Sequence, residues 1–161
     1  MVQQRHELRI ISGGQTGVDR AALDAALEAG APCGGWCPDG RIAEDGPLSA
    51  RYPLRELKSG RYAERTLANV RDSDGTLIIH AGKLEGGTLH TLECCVENAK
   101  PHLLVDNNET PVGRAAELIA DFVKRHHIAT LNVAGPRASK QPQIYAYARD
   151  VIWQLLRRLV S

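Results

Sequence analysis

Short apolar runs alternate with segments of helical period along nearly the whole chain. Residues 8–11, 33–36, 76–79, 102–105 and 130–134 read as strands. Helices fill the intervals. Ala22, Ala25, Ala26 and Ala29 give the first a small-residue face that can lie close on a sheet, with Arg20 and Asp24 paired one turn apart outside. Leu89, Leu92, Val96 and Ala99 mark another helix. Thr110 followed by Pro111 reads as a cap and first helical position, before a buried stripe of Val112, Ala115, Ile119, Phe122 and Val123. The final helix buries Ile144, Ala148, Val151, Leu155 and Leu159. Strand and helix in repeated alternation predict an α/β fold: a Rossmann-like three-layer sandwich with a mostly parallel sheet of five or more strands and right-handed crossovers. The chain reads as one ligand-binding domain over residues 1–161.

Composition narrows the function. Twenty Lys and Arg against nineteen Asp and Glu leave a net charge of +1, so the basic field of a nucleic-acid binder is missing. No apolar run approaches the roughly 20 residues a bilayer requires, and MVQQRHELR lacks the apolar core of a signal peptide. These features place the chain in the cytoplasm, away from membrane and nucleic acid. Cys33, Cys37, Cys94 and Cys95 fit neither a disulfide framework nor a zinc pattern and read as reduced core thiols. The histidines form no spaced cluster, so no metal site is expected.

Glycine is concentrated where strands end. Three clusters stand between a strand and the helix after it: Ser12-Gly13-Gly14-Gln15-Thr16-Gly17, Glu85-Gly86-Gly87-Thr88 and Ala134-Gly135-Pro136-Arg137. In parallel sheets ligands bind beyond the carboxyl ends of the strands, where free amides and a helix dipole favour an anion. A phosphate-bearing small molecule is the expected guest. The first cluster is neither a dinucleotide fingerprint nor a Walker loop, and Thr16 with Asp19 also reads as a capping box. On residues 61–75, Arg65 and Asn69 lie one turn apart, with Thr66 and Ser73 nearby, on a polar face able to look toward the rim. Residues 37–60, rich in proline and glycine, read as a lid or binding loop with a short strand near 53–57. There Asp39, Arg41 and Glu44 are candidates to grasp the ligand, as are Arg137, beside a helix start, and Ser139. His80 and His90 are the histidines placed near the rim.

Taken together, GGQTGVDRAALDAA, PDGRIAEDGPL, RTLANVRDSDGTLII, EGGTLHT and LNVAGPRAS resemble, in order, the molybdenum cofactor carrier protein family. That family is related to the Lonely Guy phosphoribohydrolases and to DprA. The resemblance implies a protein that binds and protects molybdenum cofactor, a pterin dithiolene with a terminal phosphate, or a related anion such as a nucleotide. It implies a homo-oligomer, a dimer or tetramer with sites near subunit contacts, and molybdoenzyme acceptors. In the hydrolases an arginine precedes Ser-Asp, and a catalytic glutamate stands three residues after Gly-Thr. Arg65, Ser73, Asp74, Gly87 and Thr88 fit that pattern, but Thr91 occupies the glutamate position and supplies no carboxylate. No catalytic residue is assigned. The expected reading is a carrier; the alternatives are a nucleotide N-glycosidase and a nucleotide-derivative sensor. Ile152, Trp153 and Leu156, beyond the core stripe of the last helix, suggest burial against a partner.

Overall fold

The computed structural model describes residues 7–58 and 61–160, without the side chain of Val160. Residues 1–6, from the stretch read for a leader, and Ser59 and Gly60, which end the long loop, lie outside the described residues. In chain order the elements are β1 (Arg9–Ile11), α1 (Val18–Ala29), β2 (Cys33–Gly34), β3 (Trp36–Pro38), β4 (Ile42–Ala43), β5 (Gly46–Pro47) and β6 (Arg55–Leu57). Then come α2 (Tyr62–Asp72), β7 (Gly75–His80), α3 (Gly86–Glu97), β8 (His102–Asp106), α4 (Val112–Arg125), β9 (Thr130–Ala134) and α5 (Ile144–Val160).

Five of these strands form the central parallel sheet, in the order β2-β1-β9-β7-β8. Counted from β9 as the first strand, that order becomes 3-2-1-4-5, the doubly wound arrangement entered at a different point. The switch in strand order therefore falls between β9 and β7. Helices α1, α4 and α5 pack together on one face, and α2 with α3 on the other. This is the expected three-layer sandwich. Ala21, Ala22, Ala25 and Ala26 are fully buried, and so small a face lets α1 approach both the sheet and α5. Among the described residues, no helix is long and apolar enough to cross a membrane.

Several sequence expectations need correction. The run at 33–36 is not one strand, because the chain turns at Gly35, where φ is +129° and a Cβ would collide with the Ser12 carbonyl oxygen. Only glycine fits. β2 therefore ends at Gly34, and β3 leaves to pair with β6. Residues 37–58 are not a loose lid. They contain the β4–β5 hairpin and, with Leu23 of α1, a small core of Cys37, Ala43, Leu48, Tyr52 and Leu54. The guanidinium of Arg41 donates to the carbonyls of Ser49, Tyr52 and Leu54. Arg20 and Asp24 do not pair with each other: Arg20 grips Asp45 through two bonds, while Asp24 accepts the hydroxyls of Tyr52 and Tyr145. Both tie this segment to the main body.

The helices differ from the reading at their edges. Pro111 is the cap residue of α4, which begins at Val112, one residue later than expected. On α5, Ile152 and Leu156 are buried and Trp153 is half-buried, whereas Leu159 is exposed. That wide apolar surface is covered by α1 and α4 of the same chain, so it is not left open for a partner. The open surface lies elsewhere. On α3, Leu89 and Val96 are 38% and 63% exposed, and the buried face runs instead through Thr88, Thr91, Cys94 and Cys95. All four cysteines are free thiols, with Cys33 half-buried and the other three buried.

Candidate functional site

The carboxyl ends of β7 and β9, on either side of the switch point, open into a cavity of about 510 Å³. Its walls come from the segment after β1, the inner face of α2, the segment from β7 into α3, and the segment after β9. A crevice at this place is where open α/β sheets take ligands. Of the sequence candidates, Gly13, Gln15, Arg65, Thr66, Asn69, Gly86, Gly87, Thr88, Thr91, Gly135 and Arg137 line it, and so do His80 and His90. Gly14, Thr16, Gly17, Asp39, Arg41, Glu44, Ser73 and Ser139 do not.

Arg65 reaches from α2 to beneath the first loop. A Cβ at Gly13 would collide with its Nη1, which lies 3.2 Å from Asp19 Oδ2. The two side chains are only 13% and 7% exposed, so this is a nearly dry ion pair. Asp19 also accepts the main-chain amides of Gln15 and Gly13. Burial pushes its carboxyl up and outweighs the pull of Arg65 downward. Among the described residues, Arg65 Nε has no hydrogen-bond partner although it is buried. Asp19 is therefore not the capping residue expected from its spacing, since α1 has no side-chain cap. The amides of Gly14 and Thr16 are engaged too, by Ser12 Oγ at 3.3 Å and Gln15 Oε1 at 3.0 Å. The first loop thus presents side chains to the cavity rather than a row of free amides.

The loop after β9 is bound up with an internal anion. Thr16 Oγ1, the amide and hydroxyl of Ser139, and Arg137 Nε all converge on the carboxylate of Glu44, at the tip of the β4–β5 hairpin. The Thr16 and Ser139 hydroxyls, in that order, hold this carboxyl below its ordinary value. Arg137 is also not beside a helix start, because α5 begins only at Ile144. Two glycines here serve packing: a Cβ on Gly17 would strike the Pro136 carbonyl, and one on Gly135 would strike the Ile79 carbonyl and sit 2.6 Å from Val18 Cγ2.

The second cluster is different. A Cβ at Gly86 or Gly87 would meet nothing within 4 Å, and α3 starts without a side-chain cap. The first amides of a helix have no acceptor within it, and among the described residues those of Gly86, Gly87 and Thr88, which line the cavity, donate no hydrogen bond and lie at the positive end of the dipole. One turn on, Thr91 donates its hydroxyl to the Gly87 carbonyl at 2.9 Å. Asn69 exchanges two bonds with the main chain of Trp36, at 2.8 and 3.0 Å, which fixes α2 against β3.

Glu85, read as part of the second cluster, also lines the cavity, whereas sequence reasoning missed Tyr62, Lys83, Asn132, Lys140 and Gln141. Lys83, Lys140 and Gln141 stand in the same strand-to-helix segments as the glycines, so a wider window around each cluster would have found them. Nothing in the pattern marks Asn132, whose Nδ2 donates to Thr76 Oγ1 at 3.2 Å. Lining arginines and lysines outnumber aspartates and glutamates by four to two. Arg65 and Arg137 have carboxylate partners; among the described residues, Lys83 and Lys140 have none. No group of His, Cys, Asp and Glu among the described residues could hold a metal ion.

No curated protein matches this chain. The crystal structure of a "Putative molybdenum carrier protein" from Syntrophus aciditrophicus SB is similar to it, with a TM-score of 0.91 and 45% identity over 96% of this chain and 98% of that one. This bears out the resemblance read from the glycine and arginine blocks. The model of the circularly permutated YpsA SLOG family matches residues 10–156, and permutation is what a doubly wound sheet entered at β1 rather than β9 displays. By strand order and sequence alike, the chain belongs to the circularly permutated YpsA SLOG family.

Proposed function

We propose that the chain is a cytoplasmic carrier that binds molybdenum cofactor in the switch-point cavity, with the terminal phosphate on the amides of Gly86, Gly87 and Thr88. One observation carries this reading: the start of α3 is uncapped, open above both glycines, and stands at a cavity lined by two lysines that have no side-chain partner among the described residues. An anion placed there receives several amide hydrogen bonds and the helix dipole at once. The similar protein's name supports the choice of cargo. The commitments of two of the carboxyl positions favour binding without turnover. Thr91 stands where the related hydrolases carry their acid, and its hydroxyl is committed to Gly87. Asp19 is committed to Arg65 and two amides. Glu85 precedes α3 at its cap.

Protein purified under anaerobic conditions is expected to carry molybdenum and a pterin, seen by metal analysis and mass spectrometry of the released ligand. Incubation with nucleoside monophosphates is expected to release no free base. A copurified nucleotide with steady base release would replace the carrier by the hydrolase.

We also propose that the carrier is a homodimer joined through α3. Leu89, Leu92 and Val96 follow one another on one face of α3, which ends at Glu97 before Ala99, and Leu104 of β8 is 42% exposed on the α3 side of the sheet. A second α3 related by a two-fold axis runs antiparallel to the first and so opposes the helix dipoles. Val96→Glu is expected to shift the protein from dimer to monomer in light scattering while its circular dichroism at ambient temperature stays that of the wild type. An unchanged mass would remove α3 as the contact.

A further inference from the structure

We infer that the cavity is built for a ligand anionic at two places: one oxyanion on the amides that open α3, and a second anionic group between Lys83 and Lys140. The inference rests on the carrier reading of the same cavity and says more about its guest. Lys83 follows β7, and Lys140 lies in the turn after β9, so the two come from opposite sides of the switch point. That turn is held against the first by Gln141 Nε2, which donates to the Ala81 carbonyl at 3.4 Å. The fold thus joins two segments that each bring an ammonium group to one cavity wall.

Glu85 lines the same cavity, but among the described residues no ion pair joins either lysine to a carboxylate. Asp106 receives the amides of Gly82 and Asn108, and Glu44 is taken by Thr16, Ser139 and Arg137. The cavity's other cations already have partners, Arg65 in Asp19 and Arg137 in Glu44. Two exposed lysines against the one carboxylate of Glu85 leave this wall net positive, a charge that an entering anion offsets. A phosphate seated on α3 lies at the helix end, across the switch point from Lys140. A ligand with a terminal phosphate and a second anionic centre satisfies both positions.

Tungstate, a compact dianion, tests this without requiring the natural ligand. Equilibrium dialysis with metal analysis is expected to find two tungstates per wild-type chain and one in Lys83→Gln/Lys140→Gln. Anomalous diffraction should place the lost ion between the two lysines and the retained one at Gly86 to Thr88. Among the described residues neither lysine side chain makes a hydrogen bond or ion pair, so the double variant should fold normally. A single tungstate at α3 in the wild type, or two retained in the lysine variant, overturns the inference and leaves the phosphate position standing. Loss of both ions from the lysine variant would also overturn it, because the two positions would then not be separate. Two ions in the wild type with neither at α3 would instead overturn the phosphate position.

Discussion

Replacing Arg65 with methionine is expected to cost about 3–5 kcal/mol of folding stability, and adding Asp19→Asn to the same chain is expected to recover most of that loss. The two side chains form a nearly dry pair, with Nη1 and Oδ2 3.2 Å apart. Without the guanidinium, Asp19 is a buried carboxylate whose remaining donors are the amides of Gln15 and Gly13, and one unpaired buried charge costs more than a missing pair. Methionine fills the stem volume of arginine, so the loss reports charge more than packing. The sign of the pH dependence follows from Asp19. Its carboxyl is raised above the ordinary range in the folded chain, so its contribution to stability is greatest when it is protonated and declines as pH rises through its folded value. Removing Arg65 raises the carboxyl further. The deficit of Arg65→Met relative to wild type should therefore grow as pH rises through the wild-type folded value of Asp19, above the ordinary carboxylate range, and the double variant should show little of that slope. Denaturant unfolding across that pH range measures it. A deficit constant with pH and untouched by Asp19→Asn would mean that Arg65 acts through its stem alone.

The fold was readable because it rests on patterns local to each element. The strands at 76–79, 102–105 and 130–134 and the apolar stripes of α4 and α5 all lie within one or two residues of where periodicity put them. Strand order was not readable, since it depends on which edges meet, and no residue in β1 or β9 advertises that they are neighbours. At the site, the sequence showed which segments gather at the strand ends, but not which of their groups are left free. Spacing made Asp19 look like a cap, yet a distant arginine from α2 claims it. Arg137, Ser139 and Thr16 have the chemistry of oxyanion ligands, and an oxyanion does sit among them: the chain's own Glu44. Three chain segments separated by dozens of residues meet at that carboxylate, and local patterns cannot report such a meeting. For α3 the apolar spacing was correctly seen, while the burial that usually accompanies it falls on Thr88, Thr91 and the two cysteines instead.

The glycines divide into those that shape the walls and those that receive the guest, and two valine substitutions separate the roles. A Cβ at Gly87 would meet nothing within 4 Å, so Gly87→Val should fold with little change in melting temperature. The branched side chain then stands over the amides that open α3 and displaces the anion. A clash of that kind costs about 3 kcal/mol, roughly 100-fold in affinity, read by tungstate or cofactor titration. At Gly14 the outcome is reversed. Its φ is +78°, and a Cβ there would lie 2.5 Å from Leu54 Cδ1 and 3.1 Å from Leu48 Cδ1, in the small core that fastens residues 37–58 to α1. A β-branched residue forced into that backbone and that packing should lose about 3 kcal/mol of stability, or roughly 6–12 °C in melting temperature for a chain of this size. Anion binding at α3 should survive wherever the variant remains folded, because Gly14 does not line the cavity. If Gly87→Val binds as well as wild type while Gly14→Val loses the ligand without losing stability, the anion belongs on the first loop and not on α3.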